Sequence, residues 1–239
     1  MDTIELDNIN YLNKPFPHCV IDNFFHTSTA DKLYENIISL NSEDANVKFT
    51  NKKGLNEYNK FAFSEIEKLP LSLKNTFMSL NSKEFIEKIE KLTGISDIVY
   101  GDLKLMGAGV HIIKDKGFLG MHTDFNTYNH STHGKLDRRI NLLVYMNKDW
   151  KSEYKGDLLI YHPDNISQVK RIQPIFNRCI IFNTTNKSIH GHPEPLCVPK
   201  KDLYRKSIAI YYYTKNKNKN LDFEGDPPHS TLWHKTPNI

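Results

Sequence analysis

The run Phe118-Leu119-Gly120-Met121-His122-Thr123-Asp124-Phe125-Asn126 sets an imidazole and a carboxylate two residues apart. Side chains on an extended strand repeat every second position, so His122 and Asp124 point to one side and offer a nitrogen and an oxygen to a single metal ion. A third ligand has to come from elsewhere in the chain. The segment Asn186-Lys187-Ser188-Ile189-His190-Gly191-His192-Pro193 supplies two histidines on one strand face, His190 and His192. An H-x-D triplet arises readily by chance among 11 histidines in 239 residues, so its surroundings carry the argument.

Working outward, a strand-like run from Gly107 to Ile113 precedes the triplet, and Tyr204-Arg205-Lys206-Ser207-Ile208-Ala209-Ile210-Tyr211-Tyr212-Tyr213 follows the distal histidines. The same period-two rule puts Arg205 and Ser207 on one face, where a guanidinium beside a hydroxyl forms a fork suited to a carboxylate. Two histidines and one carboxylate are the facial donor set of non-haem Fe(II) oxygenases, with positions left open for chemistry. The H-x-D, the distal His and the R-x-S together resemble the iron- and 2-oxoglutarate-dependent dioxygenase superfamily, on its prolyl-hydroxylase-like branch. The resemblance runs from about Pro15, where Pro-Phe-Pro-His-Cys-Val-Ile-Asp-Asn-Phe-Phe is similar to the usual N-terminal opening, to Thr214.

That resemblance implies a set of roles. His122, Asp124 and His190 become the catalytic iron ligands, and Arg205 with Ser207 becomes the clamp on the distal carboxylate of 2-oxoglutarate. His190 is preferred to His192 because it takes the family's position in Ser-x-His-Gly, leaving His192 beside the ligands or in the pocket wall. His111 falls where relatives often carry a tyrosine that touches 2-oxoglutarate. The implied cofactor is Fe(II), with 2-oxoglutarate and dioxygen as co-substrates. The implied reaction hydroxylates an unactivated C–H bond as 2-oxoglutarate is decarboxylated to succinate and carbon dioxide. A prolyl residue or a free amino acid is the first-choice substrate. Related halogenases carry Gly or Ala in place of the carboxylate, so Asp124 points to hydroxylation.

Spacing nominates further wall residues. Arg139 and Asn141 share a strand face, as do Tyr211 and Tyr213, although packed or surface β residues are the ordinary reading of each. His18, His26, His162, His229 and His234 show no ligand spacing with one another and read as surface or hydrogen-bonded structural histidines. Gly107-Ala108-Gly109 lacks the Lys-Ser/Thr and following helix of a phosphate loop.

At 38% hydrophobic, 11% aromatic and 25% charged, the composition is globular, and the length fits one domain. The expected division is a helical support region over 1–94, a catalytic core over 95–214 and a C-terminal tail over 215–239. Three cysteines, Cys19, Cys179 and Cys197, are an odd, unspaced set that points to reduced thiols rather than a disulfide framework. The acidic start Met1-Asp2-Thr3-Ile4-Glu5-Leu6-Asp7 has no apolar centre, and no apolar run approaches a membrane span, so a cytoplasmic, soluble protein is expected. A net charge of +4 is spread over Lys-Asn stretches. Its densest cluster, Lys215 to Asn220, reads as a solvated segment and argues against a nucleic-acid partner.

Apolar periodicity predicts helices over Ala30–Leu40, with capping chemistry in His26-Thr27-Ser28, over Leu71–Leu80, and over Ser82–Leu92 with Ser82 as cap and Gly94 as stop. A short outer strand is expected over Cys19–Ile21 and a loop over Asn41–Glu57. After Gly94 come short β-branched or aromatic runs: Leu103–Ile113, Gly120–Asp124, Arg139–Met146, Gly156–Tyr161, Gln168–Ile172, Arg178–Phe182, Ser188–Gly191 and Tyr204–Tyr213. Helices first and strands afterwards predict a mainly β, α+β fold with helices packed on one side. The resemblance makes the core a double-stranded β-helix, the jelly roll of cupins. Two connections, Asn126–Asp137 with Tyr128, His130 and His133, and Asp149–Lys155 with Trp150 and Tyr154, are expected to border the pocket, the first as a lid. The tail is expected to be irregular. Two alternatives remain at this level: the same chemistry on another small metabolite such as a sugar or natural-product intermediate, and a non-catalytic cupin-like metal- or sugar-binding module. A carboxylate clamp has no purpose in the second.

Overall fold

Period-two alternation along three central strands arranges the whole molecule. The computed structural model describes residues 6–50, 56–200, 203–215 and 227–237. Strand β1 (His18–Ile21), helix α1 (Thr27–Ile38), strands β2 (Val47–Phe49) and β3 (Glu57–Phe63), and helices α2 (Leu71–Leu80) and α3 (Lys83–Thr93) come first. Then follow β4 (Gly109–Thr123), β5 (Thr127–His130), β6 (Gly134–Tyr145), β7 (Leu158–His162), β8 (Asn165–Ile172), β9 (Arg178–Asn183), β10 (Ile189–His192), β11 (Arg205–Thr214) and β12 (Leu232–Trp233). The strands form one antiparallel sheet whose main path is β1-β9-β6-β11-β4-β10-β7-β8, curled into the half-barrel of a jelly roll.

On the convex face, Val110 and Ile112 of β4, Ile140, Leu142 and Val144 of β6, and Ile208, Ile210 and Tyr212 of β11 are buried in one core with Leu33 and Ile37 of α1, Leu73 and Phe77 of α2, and Phe85 and Ile89 of α3. Each such side chain contributes about 1.5–3 kcal/mol by leaving water. The intervening residues His111, Asn141, Arg205, Ser207 and Tyr211 face the concave side and line a cavity. The sheet is thus a wall between a helical layer and a polar hollow.

Helix α2 has the boundaries that periodicity predicts, and α3 has its predicted cap and stop. Ser82 Oγ accepts from the Phe85 amide at 3.2 Å, and Gly94 ends the helix at φ 72°, a backbone angle that a side chain disfavours. Helix α1 starts three residues earlier than predicted, and its N-cap His26 makes no side-chain capping bond, so the expected capping chemistry there is absent.

Four other expectations are corrected. The region 41–57 is no plain loop: Ser42–Asp44 forms a 3-10 turn, and β2 pairs with β3, which pairs in turn with β4. The sequence Glu-Tyr-Asn-Lys-Phe-Ala-Phe has little apolar alternation, and pairing with a long neighbour overrides that weak local preference. Strand β4 runs unbroken through both predicted segments, while residues 103–108 stay outside it. Residues 126–137 form the β5–β6 hairpin, with His130 opposite Gly134 and Thr127 opposite Asp137, instead of a free lid. The tail places β12 against β4, Trp233 opposite His122.

Among the described residues no helix is long and apolar enough to cross a membrane. Cys19, Cys179 and Cys197 are all free. The N-terminal reading over Met1–Ile4 and the Lys-Asn segment from Asn216 to Asn220 lie outside the described residues.

Candidate active site

The antiparallel pairing of β4 with β10 sets His122 directly opposite His190, with ring centroids 4.3 Å apart. Gly191 permits this approach: a Cβ there would meet the Gly120 carbonyl oxygen at 2.5 Å. His122 Nδ1 lies 2.9 Å from the Gly120 carbonyl, and His190 Nδ1 lies 2.9 Å from the Ser188 carbonyl. A carbonyl only accepts, so both Nδ1 atoms carry a proton, and in the neutral ring Nε2 is the nitrogen with a lone pair to offer a metal. Those two Nε2 atoms face Asp124, His122 at 3.5 Å and His190 at 3.4 Å. One donor atom from each of the three residues falls within 4.8 Å of the others, a spacing that could hold a metal ion.

The carboxylate is itself held. Arg138 reaches Asp124 Oδ2 at 3.0 Å, with the two side chains 1% and 10% exposed, and Asn141 Nδ2 donates to the same oxygen at 2.8 Å. Burial alone would raise the Asp124 pKa, but Arg138 and the two imidazoles outweigh it and hold the carboxyl well below its usual range. His190 is pushed down to about 4 by burial and then by His122, so it stays neutral near pH 7 as a metal ligand must.

Beyond the three residues a cavity of about 240 Å³ opens, with His111, Asn141, Arg205 and Ser207 in its wall. Ser207 sits opposite His111 on β4 and Tyr145 on β6. Arg205 is buried, gives its Nε to the Gly156 carbonyl at 2.8 Å, and lies over the Tyr145 ring at 4.9 Å. Among the described residues it forms no ion pair. His192 also lines the cavity, with its two ring nitrogens unpartnered, as is His111 Nε2. A buried guanidinium with no ion pair of its own, beside unpartnered imidazole nitrogens, fits a polar, anionic ligand.

His111 gives a stability prediction. Burial, and after it Lys60, push its pKa from 6.5 to about 3. The unfolded chain therefore takes up a proton below pH 6.5 that the folded chain refuses, and stability is lost as pH falls through that window. By pH 5 the loss from this residue is on the order of 2 kcal/mol. In urea unfolding at pH 8 and pH 5, His111→Asn should show a pH difference smaller by that amount; an unchanged difference would count against a buried neutral imidazole.

Some expected wall residues are elsewhere. Arg139 does not line the cavity, whereas Arg138 does. Tyr212 pairs with Ile140 and Tyr213 with Arg138, so β6 bulges at Arg139 and the alternation inverts. Tyr211 lines the cavity, but Tyr213 packs on Tyr128 instead. Tyr128, His130 and His133 stay outside it, His130 serving the hairpin turn by accepting from the Thr132 and His133 amides. Trp150 and Tyr154 pack with Ile113 and Leu196 as structural core. Trp233, which the sequence reading leaves in an irregular tail, lies 5.2 Å from the His122 ring and lines the cavity with Thr231, Phe49, Glu57 and Lys60.

Residues 108–213 match the family described as the 2OG-Fe(II) oxygenase superfamily. That segment carries His122, Asp124 and His190 together with Arg205 and Ser207. The match and the His122–Asp124–His190 cluster together support a dioxygenase that uses Fe(II), 2-oxoglutarate and dioxygen, against the reading as a non-catalytic cupin-like module. No curated protein matches the chain. Among solved structures, the oxygenase is similar to a prolyl hydroxylase from Trichoplax adhaerens in complex with a hypoxia inducible factor peptide fragment. The two share 18% identity over 87% of each chain, with a TM-score of 0.58. A Pseudomonas putida prolyl-4-hydroxylase matches with 11% identity over 83% of this chain and 92% of its own, TM-score 0.55. HygX from Streptomyces hygroscopicus, with nickel, 2-oxoglutarate and hygromycin B bound, matches with 8% identity over 89% and 84%, TM-score 0.51. At these identities the likeness is one of fold.

Proposed function

We propose that this oxygenase hydroxylates an unactivated C–H bond of a prolyl residue or free amino acid, with His122, Asp124 and His190 holding the iron and Arg205 with Ser207 holding 2-oxoglutarate. The observation that carries the reading is the convergence of two Nε2 atoms and one carboxylate beside a buried guanidinium that forms no ion pair among the described residues. When bound, the iron would activate dioxygen, the oxidant: dioxygen and 2-oxoglutarate would be consumed, one oxygen atom going to the substrate carbon and one to succinate, with carbon dioxide released. The protein's part is positional. Arg205 and Ser207 meet the distal carboxylate, and His111 and His192 offer neutral ring nitrogens along the wall. The prolyl-hydroxylase fold supports the substrate choice. The whole chain acts as one domain in this proposal, with a cytoplasmic setting.

A polar metabolite as substrate has its own support: Glu57 and Lys60 pair at 3.2 Å where they line the cavity with Phe49 and Trp233, and an aromatic platform beside charged groups suits a polar ring. Succinate release across prolyl peptides, free amino acids and sugars separates the two. Release with prolyl peptides or amino acids supports the first-choice substrate; release with sugars alone overturns it. An anaerobic mixture of protein, Fe(II) and 2-oxoglutarate should show a weak visible charge-transfer band, and its absence would remove the proposed ligand set.

A further inference from the structure

We infer that Arg138 and Asn141 select which oxygen of Asp124 reaches the metal, filling Oδ2 so that Oδ1 is the only donor left. The inference rests on the reading of His122, Asp124 and His190 as ligands.

The three side chains form a closed network. Asn141 Oδ1 accepts from Arg138 Nε at 3.0 Å and from a terminal guanidinium nitrogen of Arg138 at 2.9 Å. A guanidinium only donates, so the Asn141 amide cannot be turned around, and its Nδ2 must face Asp124. There it donates to Oδ2 at 2.8 Å, and the Arg138 guanidinium approaches the same oxygen at 3.0 Å. A carboxylate oxygen has two in-plane lone pairs; the Asn141 amide takes one, and the Arg138 charge lies against the same oxygen. Oδ1 has no second donor of this kind; His122 Nε2 lies 3.5 Å from it, while His190 Nε2 lies 3.4 Å from the Oδ2 that Asn141 and Arg138 already engage.

The clamp is rigid for reasons of packing as well as charge. The Arg138 guanidinium lies 3.5 Å from the Tyr211 ring centroid and 4.6 Å from that of Phe125. Its backbone amide donates to the Asn126 carbonyl at 3.0 Å, which ties the residues after β4 to β6. The bulge at Arg139 is what brings Arg138 to the cavity face of Asn141, so the bulge serves the carboxylate. A carboxylate bound through one oxygen occupies one coordination position where a chelating one occupies two, and the position saved belongs to a co-substrate.

The test is Co(II) titration of the full chain under nitrogen, followed by visible absorption, for wild type, Asn141→Ala, Arg138→Met and Arg138→Lys, with thermal melting to establish folding. Asn141→Ala is the decisive variant, because it removes one donor and leaves the buried cation in place. Affinity should fall roughly 10- to 100-fold in Asn141→Ala and Arg138→Met. The Co(II) spectrum should change as the second oxygen enters the coordination sphere, and Arg138→Lys should restore part of both. Wild-type affinity and spectrum in Asn141→Ala would overturn the inference. Weaker binding with an unchanged spectrum would also overturn it, since support without selection would then suffice. Failure of the wild type to bind Co(II) would instead remove the ligand reading, and this inference with it.

Discussion

Asp124→Ala should abolish metal binding and hydroxylation, and should also cost about 3–5 kcal/mol of stability. The spacing that nominates Asp124 as a ligand suggests a dispensable side chain, but its pairing with Arg138 says otherwise. Arg138 is 1% exposed and meets the carboxylate at 3.0 Å, so truncation leaves a cation inside the protein with only Asn141 and two aromatic rings around it. Breaking one half of such a pair costs more than the pair itself contributes, because the desolvated charge remains. For a chain of this length the melting temperature should drop by roughly 6–20 °C. The double variant Asp124→Ala/Arg138→Met removes both charges and should recover most of that loss while still failing to bind metal. A single variant as stable as wild type in urea would show that the ion pair carries no structural weight. Equal instability in the double variant would place the cost in lost packing.

That coupling between ligand and fold was only partly legible in the sequence. Period-two spacing suffices to bring His111, Asn141, Arg205 and Ser207 onto one concave wall, because β4, β6 and β11 are regular along most of their length. It fails for Arg138. Spacing from Asn141 selects Arg139, and a single bulged residue reverses the choice. No local signal marks that bulge, which is fixed by pairing with β11 at positions more than 70 residues away. Trp233 escapes for a related reason: a two-residue strand has no period, and only its docking on β4 makes it part of the cavity. The segment 126–137 misleads in the opposite direction. Its polar residues read as a loop, yet cross-strand pairing and Gly134 at φ 72° close it into a hairpin. Helices α2 and α3 were legible because their apolar stripes and the Ser82 and Gly94 signals are local.

Arg205→Met should give the opposite combination from Asp124→Ala, with ligand binding lost and stability kept. The guanidinium of Arg205 is buried, and among the described residues it has no ion-pair partner; its contacts are the Gly156 carbonyl at 2.8 Å and the Tyr145 ring at 4.9 Å. Such a charge is a standing cost in the ligand-free protein, offset in part by polar and π contacts and by the more distant Asp157. Methionine fills much of the same volume, so the variant loses about 1 kcal/mol of hydrogen bonding while shedding the cost of a buried cation. Its urea midpoint should match or exceed that of wild type. The proposed distal carboxylate of 2-oxoglutarate would lose its partner, weakening binding by about 2–5 kcal/mol, a factor of roughly thirty or more. Arg205→Lys should recover little, because a point charge cannot reproduce a fork whose Nε is already committed to Gly156. Calorimetric titration of Co(II)-loaded protein with 2-oxoglutarate measures the difference. Unchanged affinity would move the co-substrate away from Arg205, and a large loss of ligand-free stability would make Arg205 a prop for the sheet, which the absence of a close ion pair among the described residues argues against.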